Sequence, residues 1–155
     1  MRRLMRWMMV AAIAGAAAIQ FVRPARTNPA TVPDRTLEAR MPIGRDVSAV
    51  LDRACRDCHS NDTRWPWYSN VAPVSWFVID HVNHGRRHFN YSDWAQYAPE
   101  DARRILKNTC EYSRQGSMPM PSYLWMHRGA RLSDADVAVL CEWTDGALRV
   151  AHQQP

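Results

Sequence analysis

The run Cys55-Arg56-Asp57-Cys58-His59 constrains this chain more than any other feature. Residues three and four apart share one face of a helix, so both thiols and the imidazole can address a single flat ligand. That is the arrangement of a c-type haem attachment, in which each thiol adds to a vinyl group and the histidine ligates the iron. Two other readings fit less well. Zinc wants four ligands, commonly as two close pairs, whereas Cys110 and Cys141 stand apart from each other and from Cys55 and Cys58. A thioredoxin-like redox pair wants a βαβ setting, and the sequence holds no alternating strand pattern of useful length.

The amino terminus supplies the compartment. Arg2, Arg3 and Arg6 precede an apolar run from Trp7 to Val22 that only Gly15 and Gln20 interrupt. Basic residues before an uncharged stretch make an export signal, and Ala16-Ala17-Ala18 offers a small-residue cleavage site. The run is longer than an ordinary signal core and shorter than the roughly 20 residues that a spanning helix prefers. Residues 1–22 are therefore expected to be a retained single-pass anchor, with a cleaved signal peptide as the alternative. Either way the remainder lies outside the cytoplasm, which is where bacteria attach c-type haem. The expected location is the bacterial periplasm, at the inner membrane.

Residues 23–45 carry Pro24, Pro29, Pro33 and Pro42 among polar side chains, which predicts a stiff spacer. The folded domain is expected over 46–150, and its periodicity is helical throughout. A first helix from Asp46 to His59 places Val47, Val50, Leu51, Ala54, Cys55 and Cys58 on one stripe. A second starts at Pro73 and stops at Gly85, and a third runs from Pro99 to Gly116. Ser133 and Asp136 form a capping box for a fourth. Cys110 and Cys141 fall on the inner faces of the third and fourth helices, where an oxidising compartment predicts a disulfide.

Net charge is weak evidence for a partner. Taking the three leader arginines from +5 leaves +2, and Lys107 is the sole lysine. No nucleic-acid groove is implied. Arg86-Arg87 beside His88 is the one local basic cluster, readable as a solvated turn, a clamp on a haem propionate or a docking edge. Trp65 and Trp67 are candidates for an indole N–H directed at a propionate.

Iron held by one histidine needs a second ligand or an open position. Gly116-Ser117-Met118-Pro119-Met120-Pro121 offers a thioether in an extended segment, because the prolines remove two N–H donors and hold the backbone open. Met118 is the expected ligand and Met120 its rival. Among the histidines, His81 lies on an inward stripe and suits a hydrogen-bonded structural role better than ligation; His84 and His88 read as surface residues.

These residues resemble the haem-binding domain family of exported bacterial proteins related to cytochrome c. The likeness runs through Cys55-Arg-Asp-Cys-His59-Ser-Asn, Thr63-Arg-Trp-Pro-Trp-Tyr-Ser69, Ala72-Pro-Val-Ser-Trp76, His81-Val, Gly85-Arg86, Asn90-Tyr-Ser-Asp-Trp94, Met118-Pro and Leu132-Ser through Trp143. It implies a small all-α, cytochrome c-like domain around one covalent haem c, bound through Cys55, Cys58, His59 and a methionine of the Met118-Pro segment. The expected function is single-electron transport between periplasmic or membrane redox proteins met transiently. The alternative is a haem enzyme or a gas or redox sensor with an open distal site, where His81 or Arg86 faces peroxide or a diatomic ligand.

Overall fold

A computed structural model describes residues 1–153, with side chains through Val150. All regular structure in it is helical, with no strand among the described residues. The helices are α1 (Arg2–Ile19), α2 (Leu37–Arg40), α3 (Arg45–Ala54), α4 (Arg56–His59), α5 (Val74–His88), α6 (Pro99–Arg114), α7 (Pro121–Leu124) and α8 (Asp134–Gln153). Short 3₁₀ turns at Pro33–Arg35, Trp67–Asn70, Tyr91–Gln96 and Arg128–Ala130 join them.

Apolar spacing decides the core. Val47, Val50 and Leu51 of α3, Ile105 and Leu106 of α6 and Leu140 of α8 meet Tyr91, Trp94 and Leu37 in one buried cluster. Helices α6 and α8 pack along each other and α3 lies against α8, while α4 packs on α5. Beside this core, and in contact with it through Cys55 and Phe89, α4 and α5 shape the site.

Both ends of α6 follow from sequence. Pro99 takes its first position, where a missing N–H is harmless. At the other end Gly116 adopts φ +66°, and the Gly116 and Ser117 N–H groups donate to the Ser113 and Tyr112 carbonyls. That left-handed glycine cap satisfies two terminal carbonyls and turns the chain into the methionine segment. The capping box of α8 is reciprocal: Asp136 N–H donates to Ser133 Oγ at 3.2 Å, and Ser133 N–H donates to Asp136 Oδ2 at 2.8 Å. The expected Cys110–Cys141 bond is present and joins α6 to α8.

Three expectations are revised. The first helix is not continuous, because Cys55 adopts φ −124° and divides α3 from α4. Its carbonyl restarts the chain by accepting from the Cys58 and His59 N–H groups. The second helix does not stop at Gly85 but runs on to His88. Residues 23–45 are no free spacer: Leu37 is fully buried in the core, Thr36 caps α2, and Arg35 pairs with Asp93.

The membrane anchor expected at the amino terminus is not found, since no helix among the described residues is long and apolar enough to cross a membrane. Helix α1 has 18 residues, about 27 Å at 1.5 Å per residue, and its three arginines lie inside it. The uncharged part from Trp7 to Ile19 reaches about 20 Å, short of a hydrocarbon core of about 30 Å. Its side chains are exposed or half-buried, and the chain meets the domain just beyond it. Gln20 Nε2 donates to the Ala72 carbonyl, Gln20 Oε1 accepts from Ala72 N–H, and Trp76 Nε1 donates to the Val22 carbonyl.

Two predictions follow from the packing of α8. The disulfide closes a separation of 31 residues, so Cys141→Ala is expected to lower stability by about 3 kcal/mol. A denaturant midpoint equal to the native one would refute that. The Asp136 carboxyl is held at about 2, first by hydrogen bonds from Ser133 and then by Arg53. A depressed carboxyl stabilises the fold above its ordinary value near 4 and ceases to do so as pH falls toward 2. Ser133→Ala should cost about 1 kcal/mol at neutral pH, and the difference from the native chain should shrink in acid, read from paired unfolding curves.

Candidate functional site

The α4 turn presents its three functional side chains together. Cys55, Cys58 and His59 line one cavity of about 370 Å³, with His81, His84 and His88 of α5 and the segment Met118-Pro119-Met120 completing the wall. A second lobe of about 540 Å³ adjoins it and shares Cys58, His81, Met120 and Tyr123. Its wall is mostly apolar, with Trp67, Phe77, Trp125 and Met126 at the rim.

His59 is oriented from behind. Its ring stacks on Phe89 with centroids 3.9 Å apart and planes 6° from parallel. Nδ1 lies 3.2 Å from the Phe89 carbonyl. A carbonyl only accepts, so Nδ1 carries the proton and Nε2 keeps its lone pair. Burial pushes the imidazole down to about 4 against the opposing pull of the Phe89 and Gly85 carbonyls. A neutral ring with a free nitrogen and a carbonyl partner behind it is the form that ligates a metal.

Cys55 and Cys58 are not bonded to each other. Burial first, then mutual repulsion, pushes the Cys55 thiol up to about 12; burial and Asp57 push Cys58 up to about 11. Among the described residues no group of three or more His, Cys, Asp or Glu side chains is placed to hold a metal ion.

Gly85 explains how α5 comes so close. A Cβ on it would stand 2.6 Å from the Cys58 carbonyl oxygen and 3.1 Å from Cys58 Cβ. Only a hydrogen fits at this crossing, so the glycine serves contact between helices rather than a helix end.

The sequence-based assignments divide here. Met118 and Met120 both reach the cavity; Met118 is 40 % exposed, and Met120 is half-buried where the two lobes meet. His81 is half-buried in the wall, and its Nδ1 donates to the Phe77 carbonyl at 2.8 Å, so its Nε2 is also free of a proton in the neutral ring. His84 and His88 are exposed as expected, yet they stand at the cavity edge with Nε2 atoms 2.8 Å apart.

Arg86 is no propionate clamp. It donates to the carbonyls of Ser60 and Thr27, to Asn28 Oδ1 and to Thr63 Oγ1, all within 3.0 Å. These bonds staple α5 to the loop after His59 and to the amino-terminal segment. The Trp65 N–H is likewise committed, to Asn28 Oδ1. Trp67 remains on the rim, 72 % exposed.

An apolar two-lobed cavity, two unpaired thiols on one helical turn, an oriented imidazole and thioethers in the wall form a donor set that suits a haem. The model of the haem-binding domain family matches residues 14–146. The chain belongs to that family. No curated protein and no solved structure matches it significantly. The haem-binding domain thus takes in the strap at residues 23–45 along with the helices, in keeping with the contacts of Thr27, Asn28 and Leu37.

Sequence reasoning missed several members of the site. Phe89 and the Tyr68–His127 contact of 3.2 Å were silent, because their roles arise from residues distant along the chain. The one available hint was Gly85 itself, a residue with no helix propensity inside an otherwise helical stripe.

Gly85→Ala should force α5 off α4. A loss of about 1–3 kcal/mol is expected, together with a lower yield of haem-loaded protein, measured as the ratio of haem absorbance to polypeptide. Full loading at native stability would show that the crossing tolerates a methyl group.

Proposed function

We propose that this haem-binding domain is an exported single-haem c-type electron carrier. Cys55 and Cys58 would hold the haem through thioether links, and His59 and Met118 would ligate its iron. The observation that supports this reading is the meeting of both thiols, the oriented His59 ring and the methionine segment at one cavity. When bound, the haem supplies a one-electron ferric–ferrous couple, tuned by its axial ligands and burial.

The chain's own residues account for the rest. Phe89 fixes the tautomer and tilt of His59 from behind. The glycine cap of α6 and Pro119 present Met118 without a competing backbone ladder, as the Ser117 and Met118 N–H groups are both spent on the Tyr112 carbonyl. Apolar side chains of the second lobe exclude water. The exposed Trp67, Trp125 and Met126 give the rim an apolar face suited to small, short-lived contacts with redox partners.

Export places the domain where haem is attached to such motifs, with the signal within residues 1–22 and the periplasm as destination. The apolar part of α1 matches the length of a signal core.

A second reading has one observation in its favour. His81, half-buried with a free Nε2 at the junction of both lobes, could serve an open distal position in an enzyme or sensor.

Protein matured with a haem-attachment system should gain the mass of one haem, and Cys55→Ala should reduce covalent retention. Met118→Ala should lose the far-red methionine-to-iron band and should bind carbon monoxide in the ferrous state, while Met120→Ala should keep the band. A mass equal to the bare polypeptide would overturn the assignment of covalent haem. Fast, complete carbon monoxide binding by the unaltered protein would favour the open-site reading.

A further inference from the structure

The residues between the two cysteines are usually regarded as spacers, but Asp57 is buried and fully engaged. Its carboxylate accepts from the Arg64 backbone N–H at 3.2 Å and from Arg64 Nε at 3.0 Å. The remaining oxygen accepts from the Tyr123 hydroxyl at 2.8 Å, across 66 positions of sequence. Tyr123 stands directly after the methionine segment, and its N–H donates to the Met120 carbonyl at 3.0 Å. Burial and the bond to Asp57 both push its phenol up, so it remains a donor.

The methionine segment is therefore held at two ends. The Tyr112 carbonyl at the close of α6 holds Ser117 and Met118. Asp57 holds Tyr123, and among the described residues this is the sole side-chain hydrogen bond from residues 116–126 to the α4 turn. Cys55, Cys58 and His59 ride on that same turn. One hydrogen bond thus sets the separation between the two walls from which axial ligands would come.

We infer that Asp57 and Tyr123 form a positioning pair that holds the methionine segment against the attachment turn, and so determines whether a thioether closes the sixth coordination position. This rests on the assignment of haem and methionine above. Neither residue touches the iron in this role; each acts through the backbone that carries Met118 and Met120. The pair replaces a flexible loop closure with a neutral donor on a charged acceptor, the stronger class of hydrogen bond.

The test uses haem-loaded protein and two signals that a general loss of stability would not move in step: the far-red methionine band and ferrous carbon monoxide binding. Tyr123→Phe removes a single oxygen. It is expected to keep covalent haem, weaken the band and raise carbon monoxide affinity about tenfold, the equivalent of one buried hydrogen bond. Arg64→Ala, which strips the exposed guanidinium from Asp57 but leaves the tyrosine bond, is expected to keep both signals. A Tyr123→Phe protein indistinguishable from the unaltered one overturns the pair and leaves the haem reading intact. Unaltered, haem-loaded protein without the band and open to carbon monoxide overturns the methionine assignment, and the pair with it. If Tyr123→Phe fails to accumulate with haem, Asp57→Asn is read by the same two signals, and unchanged signals there overturn the pair.

Discussion

The crossing of α5 over the α4 turn governs the rest of the site. With hydrogen as its side chain, Gly85 admits the Cys58 backbone to a distance that any Cβ would forbid. That approach brings His81, His84 and His88 alongside the α4 turn, and places Phe89 flat behind His59. It also sets Arg86 one residue on, where its planar fork can reach two separate segments, the loop of Ser60 and Thr63 and the strap at Thr27. The site also borders the small core of α3, α6 and α8, because Cys55 and Phe89 pack against that cluster.

Local signals were the legible ones. The capping box at Ser133 and Asp136, the proline opening of α6 and the glycine closing it could all be read directly, since each depends on a few adjacent residues. The cysteine spacing was legible in the same way: one turn from Cys55 to His59 suffices to bring three side chains to a common cavity. The pairing of Cys110 with Cys141 was readable because two inward stripes left little else for them to meet.

Long-range roles were not. Gly85 looked like punctuation because glycine ends helices more often than it serves their crossings, and its partner Cys58 lies far back in the chain. Arg86 looked like a surface charge because nothing in its neighbourhood names Thr27, Asn28 or Ser60. Proline content made residues 23–45 resemble a spacer, yet Leu37 is at the centre of the core. Asp57 gave no signal at all, being merely one of two residues between cysteines.

The Gln20–Ala72 contact marks where the folded unit begins. The first bonds that the domain receives from its amino terminus come from Gln20 and Val22, immediately after the alanine triplet. Helix α1 has no buried side chain, while the hydrogen bonds of Gln20 and Val22 to the body of the domain all lie beyond Ala18. The alanine triplet thus sits flush with the edge of the folded unit, and α1 lies beyond it.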